Sequence, residues 1–289
     1  MNSQTLRDRL VGGVVDVATA PVRRRARLQA RAAAEPIHVA SADGTSLHAD
    51  VYTPRGEVRG TVVLAHGYRD GRGQLAFLAP PLLARGQRVI ALDFRAHGRS
   101  GGEQITIGAR EADDVRAIVA AARGMTGSSR AGSHGCTPSL ATRAGSGKVA
   151  FLGYSMGASA YLMSGLETDR AVLDSPYDTL EGAVAARVRR FGLPERFATA
   201  LTAEGSRRIG VEFASARPID RVPALTMPTL FLFARHDPWI NEATRRTFAR
   251  ALPACAAMKV VPGGHRLHFG PGWRAAVVSF LTGEESGRS

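Results

Sequence analysis

The five residues Gly153-Tyr154-Ser155-Met156-Gly157 fit the pattern G-x-S-x-G, and their surroundings give the pattern its meaning. The apolar run Val149-Ala150-Phe151-Leu152 comes just before, and a small-residue helical pattern follows. A serine on a tight turn between a buried strand and a helix has its hydroxyl held clear of the backbone, as a nucleophile elbow requires. The flanking glycines are expected to let the chain turn without a Cβ clash. The chemistry on offer is attack of Ser155 on a carbonyl carbon, provided that a base within hydrogen-bond reach takes the hydroxyl proton.

Such a serine needs a frame, and the chain has the material for one. At 289 residues and 44% hydrophobic content, it can form one large α/β domain with a small insertion. Candidate strands are Ile37 to Ala40, Leu47 to Tyr52, Thr61 to Ala65, Arg88 to Asp93, Val149 to Tyr154, Ala171 to Asp174, Thr229 to Phe233 and Met258 to Val261. The central ones are continuous apolar runs, which fit strands buried on both faces of a parallel sheet. Helical stretches alternate with them: Leu75 to Ala84, broken by Pro80-Pro81, then Ala109 to Ala122, Met156 to Leu166, Asn241 to Leu252 and Gly272 to Leu281. Helices covering both sides of a mostly parallel, eight-stranded sheet are the expected α/β architecture.

Two segments break the rhythm. Residues 124–147 are rich in Gly, Ser, Thr and Arg without apolar periodicity, and read as a mobile surface loop in which His134 and Cys136 make no metal site. Tyr177 to about Leu225 carries Leu180, Val184 and Val188 on one helical face, then Phe191, Phe197 and Leu201. That spacing suggests two or three short helices forming a small cap over the carboxyl ends of the strands, where open α/β sheets bind ligands. The expected organisation is an N-terminal segment 1–35, a core of 36–176 and 226–283, a cap of 177–225, and a tail of 284–289.

The net charge of +13 raises nucleic acid or anionic membrane as partners. The basic residues are nearly all arginine and spread along the chain, with lysine only at Lys148 and Lys259, so a composition bias on solvated positions is preferred and no nucleic-acid role is expected. The exception is the N-terminus, where Leu6, Leu10, Val14, Val15 and Val17 alternate with charged residues ahead of Arg23, Arg24, Arg25, Arg27 and Arg31. It reads as an amphipathic helix. The stretch from Leu10 to Val22 carries Asp16 and Pro21 and falls short of the roughly 20 apolar residues that span a bilayer. Ala18-Thr19-Ala20 resembles a signal-peptidase site, but Asp16 interrupts the apolar segment and arginines would follow the cut. A cytoplasmic chain is expected; packing on the domain or disorder is preferred for the helix, with peripheral attachment to an anionic membrane as its alternative. Cys136 and Cys255 imply no disulfide framework.

With the elbow and the architecture in place, the chain from about residue 37 to 282 resembles the α/β-hydrolases. His66-Gly67-Tyr68 is similar to the family's HGx loop. Asp93-Phe94-Arg95-Ala96-His97-Gly98-Arg99-Ser100 resembles its D-x-R-G-H-G-x-S segment, with Ala96 in place of one glycine. Leu230 to Asp237 ends where the family keeps its acid, and Val261-Pro262-Gly263-Gly264-His265 where it keeps its histidine, in the order Ser, Asp, His. Asp174-Ser175-Pro176-Tyr177 adds a likeness to the capped branch that includes the serine aminopeptidase-like and Bem46-like proteins.

The resemblance implies a triad of Ser155, Asp237 and His265. His265 is preferred as the base over His268, three residues later, and Asp237 as the acid over Asp174, which also ends a strand. Asp237 would orient the imidazole and stabilise the imidazolium, whereas Asn241 is the better cap for the helix after it. The backbone amides of Met156 and Tyr68 are the candidate oxyanion donors. His66 and His97 are read as turn histidines, and the site as needing no cofactor or metal. The expected reaction is acyl transfer to water from a carboxylic ester through an acyl-enzyme on Ser155. A peptide or thioester substrate, or a non-catalytic binding module on the same fold, are the alternatives.

Overall fold

The computed structural model describes residues 3–23, 33–125, 147–265 and 269–284. Its frame is eight strands: β1 (Glu35–Ala40), β2 (Ser46–Tyr52), β3 (Gly60–Ala65), β4 (Gln87–Asp93), β5 (Val149–Tyr154), β6 (Arg170–Asp174), β7 (Thr229–Ala234) and β8 (Ala256–Val261). They form one sheet in the order β1-β2-β4-β3-β5-β6-β7-β8. β2 runs antiparallel to both β1 and β4, and every other pairing is parallel. Every residue of β3, β4, β5 and β7 is buried, which is why these segments are continuous apolar runs rather than alternating ones.

Eight helices accompany the sheet among the described residues: α1 (Ser3–Thr19), α2 (Ala79–Leu83), α3 (Glu111–Gly124), α4 (Met156–Ser164), α5 (Leu180–Arg190), α6 (Glu195–Ile209), α7 (Glu242–Ala251) and α8 (Pro271–Thr282). Alternate residues of the strands feed two cores. Val63, Ile90, Phe151, Leu173 and Phe231 pack with Val115, Ile118 and Val119 of α3, Tyr161 of α4 and Phe248 of α7. Val62, Leu64, Leu152, Val172 and Leu230 pack with Leu82 of α2 and Trp273, Val277 and Leu281 of α8. Each fully buried aliphatic side chain contributes about 1.5–3 kcal/mol, so the sheet is clamped from both sides.

The stretch expected as helical from Leu75 to Ala84 with a break at Pro80-Pro81 is different. Two short 3-10 turns, Arg72–Gln74 and Ala76–Leu78, precede α2, and Pro80 and Pro81 stand in its first turn. A proline there removes only an amide that has no intrahelical partner, so it starts the helix rather than breaking it. The loop read at 124–147 lies, apart from its ends, outside the described residues, as do His134, Cys136, His268, the arginines from Arg24 to Arg31 and the tail beyond Glu284.

The N-terminal helix packs on the body. Val11, Val15 and Thr19 of α1 are buried, Asp16 pairs with Arg208 of α6, and the Tyr68 hydroxyl and the Arg69 guanidinium donate to the carbonyls of Ala18 and Val17. Its apolar residues are split between two sides, because Leu10, Val14 and Val17 remain 56%, 52% and 66% exposed. Beyond the helix, Val22 exchanges backbone hydrogen bonds with Ala96 and Gly98. Ala96, which stands where the resembling family has glycine, is held at φ 57° by these bonds.

Candidate active site

Strand β5 delivers Ser155 and helix α4 starts at Met156, immediately after it. Ser155 adopts φ 52° and ψ −112°, so the strained left-handed conformation falls on the serine itself and not on the glycines beside it. Gly157 is needed for a different reason: a Cβ there would lie 2.5 Å from the Ala65 carbonyl oxygen and 2.8 Å from that of His66. The elbow therefore seats α4 directly on the end of β3. The strain at Ser155, of order 1–3 kcal/mol, is held by the Ser155 amide donating to the Asp174 carbonyl of the neighbouring strand at 2.7 Å.

The hydrogen bonds converge on that serine. His265, in the turn after β8, places Nε2 3.1 Å from Ser155 Oγ and Nδ1 2.6 Å from Asp237 Oδ2. Nδ1 donates to the carboxylate, which leaves Nε2 as an acceptor for the serine proton. Asp237 follows β7, and its second oxygen accepts the Trp239 and Ile240 amides at 2.8 and 3.0 Å, fixing the carboxylate before the helix begins. Asn241, not Asp237, caps α7, accepting the Thr244 amide at 2.9 Å. The Tyr154 hydroxyl donates to the His265 carbonyl, so the strand that carries the serine also steadies the backbone of the histidine.

Asp174 is engaged elsewhere: Trp273 Nε1 donates to it at 2.7 Å and Ser175 Oγ at 2.8 Å. Gly67 approaches the serine closely, since a Cβ on it would stand 3.4 Å from Ser155 Cβ, and this brings the Tyr68 backbone to the same end of the sheet as Met156. Met156 opens α4, where the first amides have no intrahelical partner.

The two turn histidines are neutral scaffolding. His66 accepts the Phe94 amide on Nε2 and donates from Nδ1 to the Gly67 carbonyl. His97 accepts the Arg69 amide and donates to the Arg95 carbonyl. Burial pulls both below the ordinary histidine range, His97 to about 3 with further help from His66 beside it. Both loops are pinned by buried ion pairs, Arg72 with Asp50 and Asp93, and Arg95 with Asp114.

Ser155 and His265 open into a cavity of about 780 Å³, walled by Tyr68, Arg69, Tyr154, Arg187, Phe191 and Trp239, and by residues of α1 between Arg9 and Ala18. A second, apolar chamber of about 530 Å³ lies between α1 and the α5–α6 pair and shares Tyr68, Arg187 and Phe191 with the first. Sequence reasoning did not single out Arg187, Trp239 or the wall supplied by α1. One signal for Arg187 was available: it falls three residues after Val184 and seven after Leu180, on the apolar face of its helix.

Residues 43–172 match the family model for X-Pro dipeptidyl-peptidase (S15 family). Over 66 residues, 23% of this chain and 24% of that protein, the sequence is 46% identical to a monoacylglycerol lipase of Mycolicibacterium smegmatis; the match spans about a quarter of that relative's length. Among solved structures, an esterase of Pyrococcus furiosus superposes with a TM-score of 0.69 at 21% identity, covering 91% of this chain and 97% of that one. An esterase from Exiguobacterium antarcticum gives 0.59 at 17% identity, with 86% and 99% covered.

Proposed function

We propose that this chain, which has the α/β-hydrolase fold, is a serine hydrolase of carboxylic esters acting through an acyl-enzyme on Ser155. The observation that carries the reading is the unbroken hydrogen-bonded chain from Ser155 through His265 to Asp237 at the wall of a ligand-sized cavity. In this mechanism His265 Nε2 takes the hydroxyl proton as Ser155 Oγ attacks the ester carbonyl. Asp237 stabilises the imidazolium, and the Met156 and Tyr68 amides receive the oxyanion. The imidazolium then protonates the leaving alcohol, and a water activated by His265 hydrolyses the acyl-enzyme. The helices α5 and α6, inserted between β6 and β7, serve as the cap.

Ester rather than peptide cleavage is favoured by the wall of the cavity. Among the described residues that line it there is no aspartate or glutamate, whereas release of amino acids or dipeptides from a free amino terminus calls for an acidic group to hold the ammonium. The test is a p-nitrophenyl ester series from acetate to decanoate on the wild type and Ser155→Ala, with a fluorophosphonate label located by mass spectrometry. Turnover and labelling that both vanish in Ser155→Ala support the reading; labelling without ester turnover would move it to peptides or thioesters, and neither would leave a binding module.

Peripheral attachment to membrane has one observation in its favour: Leu10, Val14 and Val17 of α1 and Phe191 and Leu193 at the α5–α6 corner are the larger apolar side chains left exposed around the cavity. No helix among the described residues is long and apolar enough to cross a membrane. Flotation with anionic vesicles, compared between the wild type and Val17→Asp, decides it; equal recovery of the two argues against contact through α1.

A further inference from the structure

We infer that the ester cleaved at Ser155 carries a carboxylate a few bonds from its carbonyl, and that Arg187 binds it; the inference rests on the esterase reading above. Arg187 is half-buried on α5, at the junction between the cavity that holds Ser155 and His265 and the apolar chamber beside it. Its guanidinium lies 5.7 Å from the ring centre of Tyr68 and 5.2 Å from that of Trp239. Among the described residues its one hydrogen bond goes to the Ala183 carbonyl of its own helix, at 2.9 Å, and it forms no ion pair.

That is an uncommon state for an arginine. A guanidinium has five N–H donors, and those taken out of water are ordinarily matched by a carboxylate or several carbonyls. The buried Arg72 and Arg95 are matched in this way, each binding two aspartates. At Arg187 burial is the dominant influence and pulls the guanidinium below its usual range, with Asp237 the one carboxylate whose charge is felt. The oxygens of Asp237 are already taken by His265 and two amides.

The surrounding wall has the same sign. Arg9, Arg69 and Arg187 all line the cavity, and among the described residues no acidic one does. A positive wall beside a nucleophile attracts anions and disfavours cationic substrates. The aromatic rings restrain the guanidinium, so little side-chain entropy is lost when it receives a ligand, and a planar fork matches a carboxylate in bidentate geometry. The apolar chamber, lined by Val11, Val15, Ile107, Leu180, Val184 and Phe213, takes a hydrocarbon portion of the same molecule. The substrate class is thus an amphiphilic ester: an apolar arm in the chamber, a carboxylate on Arg187, and the scissile carbonyl at Ser155.

The experiment compares mono-p-nitrophenyl esters of succinic, glutaric, adipic and suberic acids with their methyl-capped counterparts, corrected for spontaneous hydrolysis, on the wild type, Arg187→Met and Arg187→Lys. The readout is the ratio of kcat/KM for the free acid to that for its capped twin. The expected wild-type ratio is about tenfold or more at one or more chain lengths, with Arg187→Met lowering it by about tenfold to a hundredfold and Arg187→Lys retaining part of it. Capped esters hydrolysed as fast as the free acids by the wild type at every length overturn the inference, whatever the variants do. So does a ratio unchanged in Arg187→Met. Capped esters turned over by the wild type and not by Ser155→Ala keep the esterase reading standing in either case; turnover of neither substrate overturns both.

Discussion

Ser155, His265 and Asp237 stand 110 and 28 residues apart in pairs along the chain and meet through two hydrogen bonds, and the two strand-end aspartates are told apart by what they hold. Asp237 grips the imidazole, whereas Asp174 is bound by Trp273 and Ser175 inside the core. Ser155→Ala is expected to reduce kcat by about 10⁵–10⁶, and Asp237→Asn by about 10⁴, in steady-state ester assays on folded protein. Asp174→Asn weakens a buried charged hydrogen bond and is expected to lower stability by about 1–3 kcal/mol in urea unfolding. A fall in kcat from Asp174→Asn matching that from Asp237→Asn would reverse the assignment of the acid. The histidines divide in the same way: His265 touches the serine, while His66 and His97 spend both ring nitrogens on backbone groups.

Among the elements, α1 has the largest consequence not evident in its own composition. It closes one side of both chambers, with Leu10, Val14 and Ala18 lining each, and it is tied to the loop carrying Tyr68 through the Ala18 and Val17 carbonyls. Val14→Trp is expected to fill space shared by the two chambers and to lower the ratio of decanoate to acetate kcat/KM by about tenfold, the equivalent of about two methylenes of lost burial. A ratio that does not move would remove α1 from the acyl path. The α5–α6 pair faces α1, and its stripe of Leu180, Val184 and Val188 was legible as a helical face, with Arg187 on it by spacing; that Arg187 sits at the junction of two cavities was not.

At the scale of the whole molecule, the sheet edge holding the site is supported by neutral histidines, and this sets a pH dependence. His97 is depressed from 6.5 to about 3 by burial, and His66 is also lowered. Between roughly those two values the unfolded chain binds protons that the folded chain does not, so stability is complete above about pH 6.5 and is lost as pH falls toward 3. Each such histidine adds a slope of about 1.4 kcal/mol per pH unit inside its window. Urea unfolding at pH 7, 6, 5 and 4 is expected to show the fall, and His97→Asn, though less stable at pH 7, to show a shallower one. Parallel pH profiles for the two proteins would mean that His97 is not the group responsible.

The central strands, the helices between them and the serine at the strand-to-helix turn were readable from sequence because burial on both faces of a sheet forces continuous apolar runs, and an elbow forces small residues at fixed spacing. The prolines of α2 misled because local pattern does not distinguish a break within a helix from its first turn. The sequence by itself thus determined the α/β architecture and a serine at the strand-to-helix turn, residue 155. Tertiary structure alone decided which wall faces that serine. Residues near 9–18, 68–69, 187–191 and 239 have no local relation to one another, and the charge of a cavity is a property of the faces that packing brings together, which no periodicity within a single element encodes.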